Sequence, residues 1–220
     1  MNLERKDIVI YGAGGLGREI LCLIIKKLDE WNPIGFVDDG VPEGKIIKGI
    51  PVLPKSFLYQ KHQNKLAVAI GIADPTIKMK IFTDLKESTD LYFPVLIAPT
   101  AIVEESAELE EGSVVSNFCL ISINVKLGKC LFINTKCDIG HDSVIGNFCS
   151  LMPCVNVSGN VTVGQRTFIG AQTAILQGVT IGSDVIIGMG SKVISNVSEN
   201  CTVMGYPARI INKHVHKNTG

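Results

Sequence analysis

Between residues 101 and 196 the apolar positions recur with a period of six. The block divides into sixteen hexads without insertion, and the third position is Ile, Leu or Val in every one, from Val103 and Leu109 to Ile187 and Val193. Position one is nearly always small or β-branched, as at Cys119, Cys137, Cys149, Val161, Thr167 and Val185. Residues two apart on an extended chain share a face, so positions one and three point to one interior. Position four is Gly in seven hexads, the first at Gly128 and the last at Gly188, which predicts a permissive backbone where the chain turns. Three hexads close one triangular coil, and stacked coils make a parallel β-helix with aliphatic ladders inside. At ~4.8 Å per coil the prism is about 25 Å tall.

The first hundred residues carry a different pattern. Asp7–Tyr11 (DIVIY) is a continuous apolar run that predicts a buried strand. Gly12-Ala13-Gly14-Gly15-Leu16-Gly17 follows, and Arg18–Leu28 has helical periodicity. Pro33–Val37 predicts a second strand ending in Asp38-Asp39, Lys65–Gly71 a third, and Pro75–Glu87 a second helix. The order is that of a small α/β half-Rossmann unit. The expected domains are 1–98, this α/β unit, and 99–220, the β-helix with a C-terminal tail.

Composition narrows the class. The chain has 220 residues with 46% hydrophobic and 19% charged, enough to bury a core. Lys+Arg and Asp+Glu are both 21, and no long basic run is present, so no nucleic-acid partner is implied. The N-terminal MNLERKDIVI lacks the layout of a secretory signal, and apolar stretches such as Ile20–Ile25 are too short to span a bilayer. Seven cysteines without a CxxC pair fit reduced thiols in the cytoplasm, and three of them occupy inward hexad positions where packing explains them. No metal site is implied: His214 and His216 stand in the tail without further ligands, and His62 lies in a polar stretch.

The glycine loop fits G-x-G-x-x-G between strand and helix, a geometry that brings backbone N–H groups and a helix N-terminus to a phosphate. An acidic pair some twenty residues later accepts hydrogen bonds from a nucleoside. A dehydrogenase reading needs a second half-fold or a catalytic domain, and residues 101–196 are committed to the β-helix. A second reading of the glycines is a tight strand–helix turn and nothing more.

The tandem hexads resemble the left-handed β-helix of the hexapeptide-repeat acyltransferases. The whole chain resembles the sugar O-acyltransferase group related to sialic-acid O-acetyltransferases, and within it the N-acetyltransferases of nucleotide-linked 4-amino sugars, of bacillosamine and perosamine type. The markers are YGAGGLGRE (11–19), FVDD (36–39), GIPVL (49–53), VAIG (68–71), INTKCDIGHDSVIG (133–146) and GYPARII (205–211). The resemblance implies an acetyl-CoA-dependent transferase, homotrimeric, with CoA between neighbouring prisms. It implies that Gly14, Gly15 and Leu16 hold the nucleotide sugar with Asp38, Asp39 and Gly71. It implies acetyl-CoA contacts at Ser150, Gly159, Ala171 and Met189. Ser150 departs from the pattern, since some members carry histidine there. The loop from Gly205 to Arg209 shapes the adenine end in the same reading.

The chemistry converges on His141, at hexad position five and away from the interior. Acetyl transfer to an amine needs a base near neutral pH, which histidine supplies. Asp142 beside it is placed to fix the tautomer, and Asn134, in the N-T motif, to help orient the site. Eighteen residues is one coil, so Gly159 stacks on His141, and its backbone N–H is the expected oxyanion donor. O-acetylation of a sugar is the first alternative. A non-catalytic nucleotide-binding trimer is the second, and it needs none of His141, Asp142 and Gly159.

Overall fold

The computed structural model describes residues 5–62 and 65–214. The N-terminal unit is built on β1 (Lys6–Tyr11), α1 (Gly15–Lys27) and β2 (Trp31–Val37), followed by a short hairpin of β3 (Ile46–Ile47) and β4 (Ile50–Pro51), then β5 (Ala67–Ile70) and α2 (Pro75–Ser88). The sheet is parallel with order β2-β1-β5. Ile8, Val9, Ile10 and Val68 are fully buried because helices and the β-helix cover both faces of this sheet, which explains their unbroken apolar run. The two helices begin differently. Asp74 caps α2, its Oδ1 accepting from the Thr76 and Ile77 amides at 2.9 Å, with Pro75 in the first turn. α1 starts at Gly14 with no side-chain cap at all.

From β6 (Leu96–Ile97) the chain enters the β-helix, ahead of the expected boundary after residue 98, because β6 pairs in parallel with β9. Strands β7 (Ile102–Val103) to β22 (Lys192–Val193) are sixteen two-residue strands, one at positions two and three of each hexad. They stack into three faces: β7-β10-β13-β16-β19-β22 forms face one, β8-β11-β14-β17-β20 face two, and β6-β9-β12-β15-β18-β21 face three. The interior is the predicted ladder. Ile121, Ile133, Leu151, Ile169 and Ile187 are fully buried at position three, and Cys119, Cys137, Cys149, Val161 and Val185 at position one. Each buried aliphatic contributes about 1.5–3 kcal/mol, so truncating one to alanine mid-column costs about 2–5 kcal/mol. Burial also pushes the Cys149 thiol up to about 12, which leaves it a packing group.

One expectation is corrected. The backbone turns at position six, not at position four: φ is positive from Gly112 through Asp142 (φ 58°) to Gly190. There the corner N–H donates back to the coil before, to a carbonyl in most coils, as Asp142 to Ile123 at 3.0 Å and Asn160 to His141 at 2.8 Å, and to a hydroxyl at Phe118 and Asn124. Position-four glycines serve close approach instead. A Cβ on Gly140 would lie 2.6 Å from the Gly159 nitrogen, and one on Gly164 2.4 Å from that of Ser183. The spacing of a single strand cannot reveal this, because the obstruction belongs to the next coil.

The tail is a strand pair, β23 (Cys201–Gly205) and β24 (Ala208–Lys213), antiparallel and extending face three. The Gly205–Arg209 segment holds its tight turn at Tyr206-Pro207, with Tyr206 strongly exposed. The α/β unit is docked on face three: Val114 and Phe132 share a core with Ile20 and Ile24, and Phe148 stacks edge-on to Phe82 of α2 at 5.6 Å. Among the described residues no helix is long and apolar enough to cross a membrane.

Candidate active site

His141 stands at the corner that joins face one to face two, directly after β13 (Asp138–Ile139). Its Nδ1 lies 2.8 Å from Asp142 Oδ2. The carboxylate fixes the tautomer: Nδ1 carries the proton and donates, and Nε2 is left with its lone pair. Both side chains are about half exposed, His141 at 48% and Asp142 at 44%. Asp142 Oδ1 accepts from the Asn124 amide at 2.9 Å. That bond first, and His141 second, hold the Asp142 carboxyl below its ordinary value.

Gly159 lies under the imidazole, one coil on. A Cβ there would be 2.5 Å from His141 Nε2 and 2.6 Å from Cε1. Its φ is not in the left-handed region, so glycine is required by the ring and not by the turn. Among the described residues its N–H has no hydrogen-bond partner. A ring nitrogen with a free lone pair and a free backbone donor therefore stand side by side. That pairing can take a proton from a nucleophile and stabilise the oxyanion that forms as it adds to a carbonyl.

The α/β unit presents the second cluster. Gly14 and Gly15 are exposed, and a Cβ on either would meet nothing within 4 Å, so open space lies above the uncapped start of α1. Leu16 is half-buried and packs against the hydrophobic core beneath. Asp38 is spent on the loop itself: Oδ2 accepts from the Ala13 amide at 2.7 Å and Oδ1 from the Gly40 amide at 2.8 Å. Asp39 is exposed, accepts from Tyr11 Oη at 3.0 Å and faces Lys55 Nζ at 3.6 Å. Asp38, Asp39 and Lys55 border a cavity of about 370 Å³. Gly71 is not on that surface. It is buried, and its Cβ would strike Gly17 Cα at 2.6 Å, so its glycine is a packing requirement.

A larger cavity of about 640 Å³ runs between α1 and the corner that joins face three to face one. Gly15, Arg18 and Lys26 line it on one side, and Asn134, Thr135 and Pro153 on the other. Asn134 thus faces the α/β unit and not His141, and its Oδ1 accepts from the Thr135 amide at 2.7 Å. Ala171 and the exposed Met189 extend the same corner, one coil apart, with the Gly190 amide donating to the Ala171 carbonyl at 2.8 Å. Within one chain, then, His141, Asp142 and Gly159 come together on one corner, and Ala171, Met189 and the α/β unit on another.

Ser150 overturns its assignment. It is fully buried on face three, and its Oγ accepts from Lys78 Nζ of α2 at 2.9 Å, so no CoA reaches it. Lys78 also donates to the Cys149 carbonyl at 3.0 Å, and burial pulls its ammonium down to about 8. The sequence offered no sign of this lysine beyond its place in a helix. Tyr11 and Lys55 were likewise unmarked. His214 pairs with Thr202 at 2.9 Å, while His216 lies outside the described residues.

Comparison with known proteins places this geometry. The family described as "PglD N-terminal domain" matches residues 7–85, and "Bacterial transferase hexapeptide (six repeats)" matches 160–195. GDP-perosamine N-acetyltransferase of Escherichia coli O157:H7 is 30% identical over 213 residues, which are 91% of this chain and 94% of that protein. PerB from Caulobacter crescentus, solved in complex with CoA and GDP-perosamine, superposes with a TM-score of 0.86 at 27% identity, covering 96% of this chain and 99% of that one. The acetyltransferase domain of PglB from Neisseria gonorrhoeae FA1090, in complex with acetyl coenzyme A, gives 0.87 at 27% identity, with 94% and 100% covered. Since a relative at 30% identity is matched along nearly its whole length, by a chain with a PglD-type domain docked on a hexapeptide β-helix, this protein belongs to the family of acetyl-CoA-dependent sugar acetyltransferases with that architecture.

Proposed function

We propose that the protein transfers an acetyl group from acetyl-CoA to the amino group of a nucleoside-diphosphate-linked 4-amino sugar. The α/β unit takes the nucleotide sugar. The uncapped N-terminus of α1, with Gly14 and Gly15 open above it, accepts a phosphate, and Asp39 reads the nucleoside. Asp38 acts one step removed, by holding the loop in shape. His141 Nε2 removes the proton from the amine as nitrogen attacks the thioester carbonyl. Asp142 keeps the imidazole in the required tautomer and stabilises the imidazolium that results. The Gly159 N–H receives the developing oxyanion. When the tetrahedral adduct collapses, the carbon–sulfur bond breaks, the amide forms, and His141 returns its proton to the thiolate of CoA.

Ala171 and Met189 are proposed to flank CoA, and their separation from His141 has a consequence. Base and nucleotide unit stand at opposite ends of face one on a single prism. A threefold assembly brings the His141 corner of one copy to the Ala171 corner of the next and closes the site. It also covers exposed apolar side chains at and beside the corners, among them Ile102, Phe118, Leu120 and Ile123. We therefore read the active form as a homotrimer. Seven free thiols and an acetyl-CoA donor fit the cytoplasm, where nucleotide sugars for surface polysaccharide are assembled.

The observation that carries this reading is the stack of His141 on Gly159, with Nε2 unengaged. Replacing His141 by Asn tests it: kcat falls roughly 10²–10⁴-fold while acetyl-CoA affinity is kept. Turnover close to the parent's would remove the base.

A further inference from the structure

The catalytic pair does not stand alone on its corner. Position six of successive coils forms a polar column: Ser106, Asn124, Asp142 and Asn160, each eighteen residues from the next. Asp142 sits in this column with φ 58°, on an exposed turn, its side chain in reach of water. A carboxylate in such a place is free to rotate unless both oxygens are engaged. His141 engages one, Oδ2, at 2.8 Å, and the amide of Asn124 engages the other, Oδ1, at 2.9 Å. Asn124 is itself anchored, for its backbone N–H donates to Ser106 Oγ at 3.0 Å, and its φ of 57° is one that asparagine tolerates well.

We propose that Asn124 is a positioning residue for acetyl transfer, holding Asp142 so that its second oxygen stays on His141 Nδ1. This rests on His141 being the base. Asn124 touches neither substrate in that arrangement. Its amide Nδ2–H donates along the coil axis, and the effect passes through one carboxylate to the imidazole. Its contribution is thus to the transition state, where the imidazolium forms, and not to binding. The residue type matters in two ways. Only a donor serves at Oδ1, since Asp142 is a carboxylate, and the Asn124 amide spans one coil to that oxygen from a left-handed backbone. Aspartate at this position would face a like charge.

Asn124→Asp keeps size and the tolerated backbone while replacing the donor with a carboxylate oxygen. It is expected to lower kcat by about tenfold, the worth of a hydrogen bond to a charged group, with both KM values unchanged. Asn124→Gly removes the side chain without backbone strain and should give a smaller kcat loss. The decisive arm is a cycle with Asp142→Asn. Once residue 142 is uncharged, Asn124→Asp should have less than about a twofold further effect, because the interaction it disrupts is gone. Melting temperatures of the variants, measured alongside, should stay together. The proposal is overturned if Asn124→Asp keeps kcat within about twofold of the parent while His141→Asn is inactive. It is also overturned if its full cost persists on the Asp142→Asn background. An active His141→Asn would instead bring down the base assignment, and Asn124 with it.

Discussion

Replacing Gly159 by alanine perturbs the site more sharply than its size suggests. The added carbon would stand 2.5 Å from Nε2, 2.6 Å from Cε1 and 2.9 Å from Cδ2 of His141, in contact with the ring on its reactive side. Carbon and nitrogen in ordinary contact are about 3.5 Å apart, so the ring must retreat by ~1 Å. No backbone strain arises, because Gly159 is outside the left-handed region. Nor is the ring trapped: 48% of the His141 side chain is exposed, and it can swing toward solvent. The fold is therefore expected to survive, with the melting temperature within a few degrees of the parent. Swinging breaks the contact with Asp142 and draws Nε2 away from the free N–H beneath. A displacement of about 1 Å in a catalytic group costs ~10²-fold, and losing access to an oxyanion donor ~10²–10³-fold. The two losses overlap, so kcat should fall ~10²–10⁴-fold while acetyl-CoA binding, followed by calorimetry, is nearly unchanged. A Gly159→Ala enzyme with kcat within about threefold of the parent would refute the reasoning, since no catalytic arrangement of this ring accommodates that methyl group.

Three further outcomes follow from the structure. Asp39→Ala should raise KM for the nucleotide sugar without changing that for acetyl-CoA, whereas Asp38→Ala should also lower the melting temperature, because it frees the Ala13 and Gly40 amides. Lys78 is buried with its ammonium pulled from 10.5 to about 8, so it favours the folded state only when neutral. That contribution is full above pH 10.5, shrinks as pH falls, and is lost near pH 8; at about 1.4 kcal/mol per unit it amounts to ~3 kcal/mol. Urea unfolding of the parent and of Lys78→Met should diverge in the parent's favour between pH 8 and 10, and parallel curves would contradict it. Sedimentation equilibrium should return three times the 23.7 kDa chain mass, and mixing inactive His141→Asn with inactive Ala171→Trp should restore activity after reassembly. A fully active monomer would rule out the shared site.

The β-helix was readable in the sequence because its signal is redundant: every hexad repeats the same inward choice at position three, and the coil length of eighteen residues follows from it. The same arithmetic put Gly159 on His141, and it reaches Asn124 from Asp142 as directly. What the sequence hid were features fixed by a second surface. Position-four glycines looked like turn residues because the coil they make room for is nineteen residues on, as with Gly140 against Gly159. Ser150 has the polar character of a ligand contact, but α2 lands on it and Lys78, seventy-two residues earlier, claims its hydroxyl. Gly71 closes a loop motif that reads as nucleotide-binding, yet the atom it avoids belongs to Gly17. The β23–β24 pair was unmarked because its strands add to a face whose period ends just before them.

The central claim is that an amine on a nucleotide-linked sugar receives the acetyl group. The direct measurement is to incubate the protein with acetyl-CoA and, in turn, GDP-, UDP- and dTDP-linked 4-amino-4,6-dideoxy sugars, each beside its 4-hydroxy counterpart. Free thiol is followed with time, and the product's connectivity is read by NMR. The account predicts thiol release with at least one amino sugar, a new amide at C4, and no reaction of the matching 4-hydroxy sugar. Acetyl ester formed on a sugar hydroxyl, with every nucleotide-linked amine left unmodified, would contradict it.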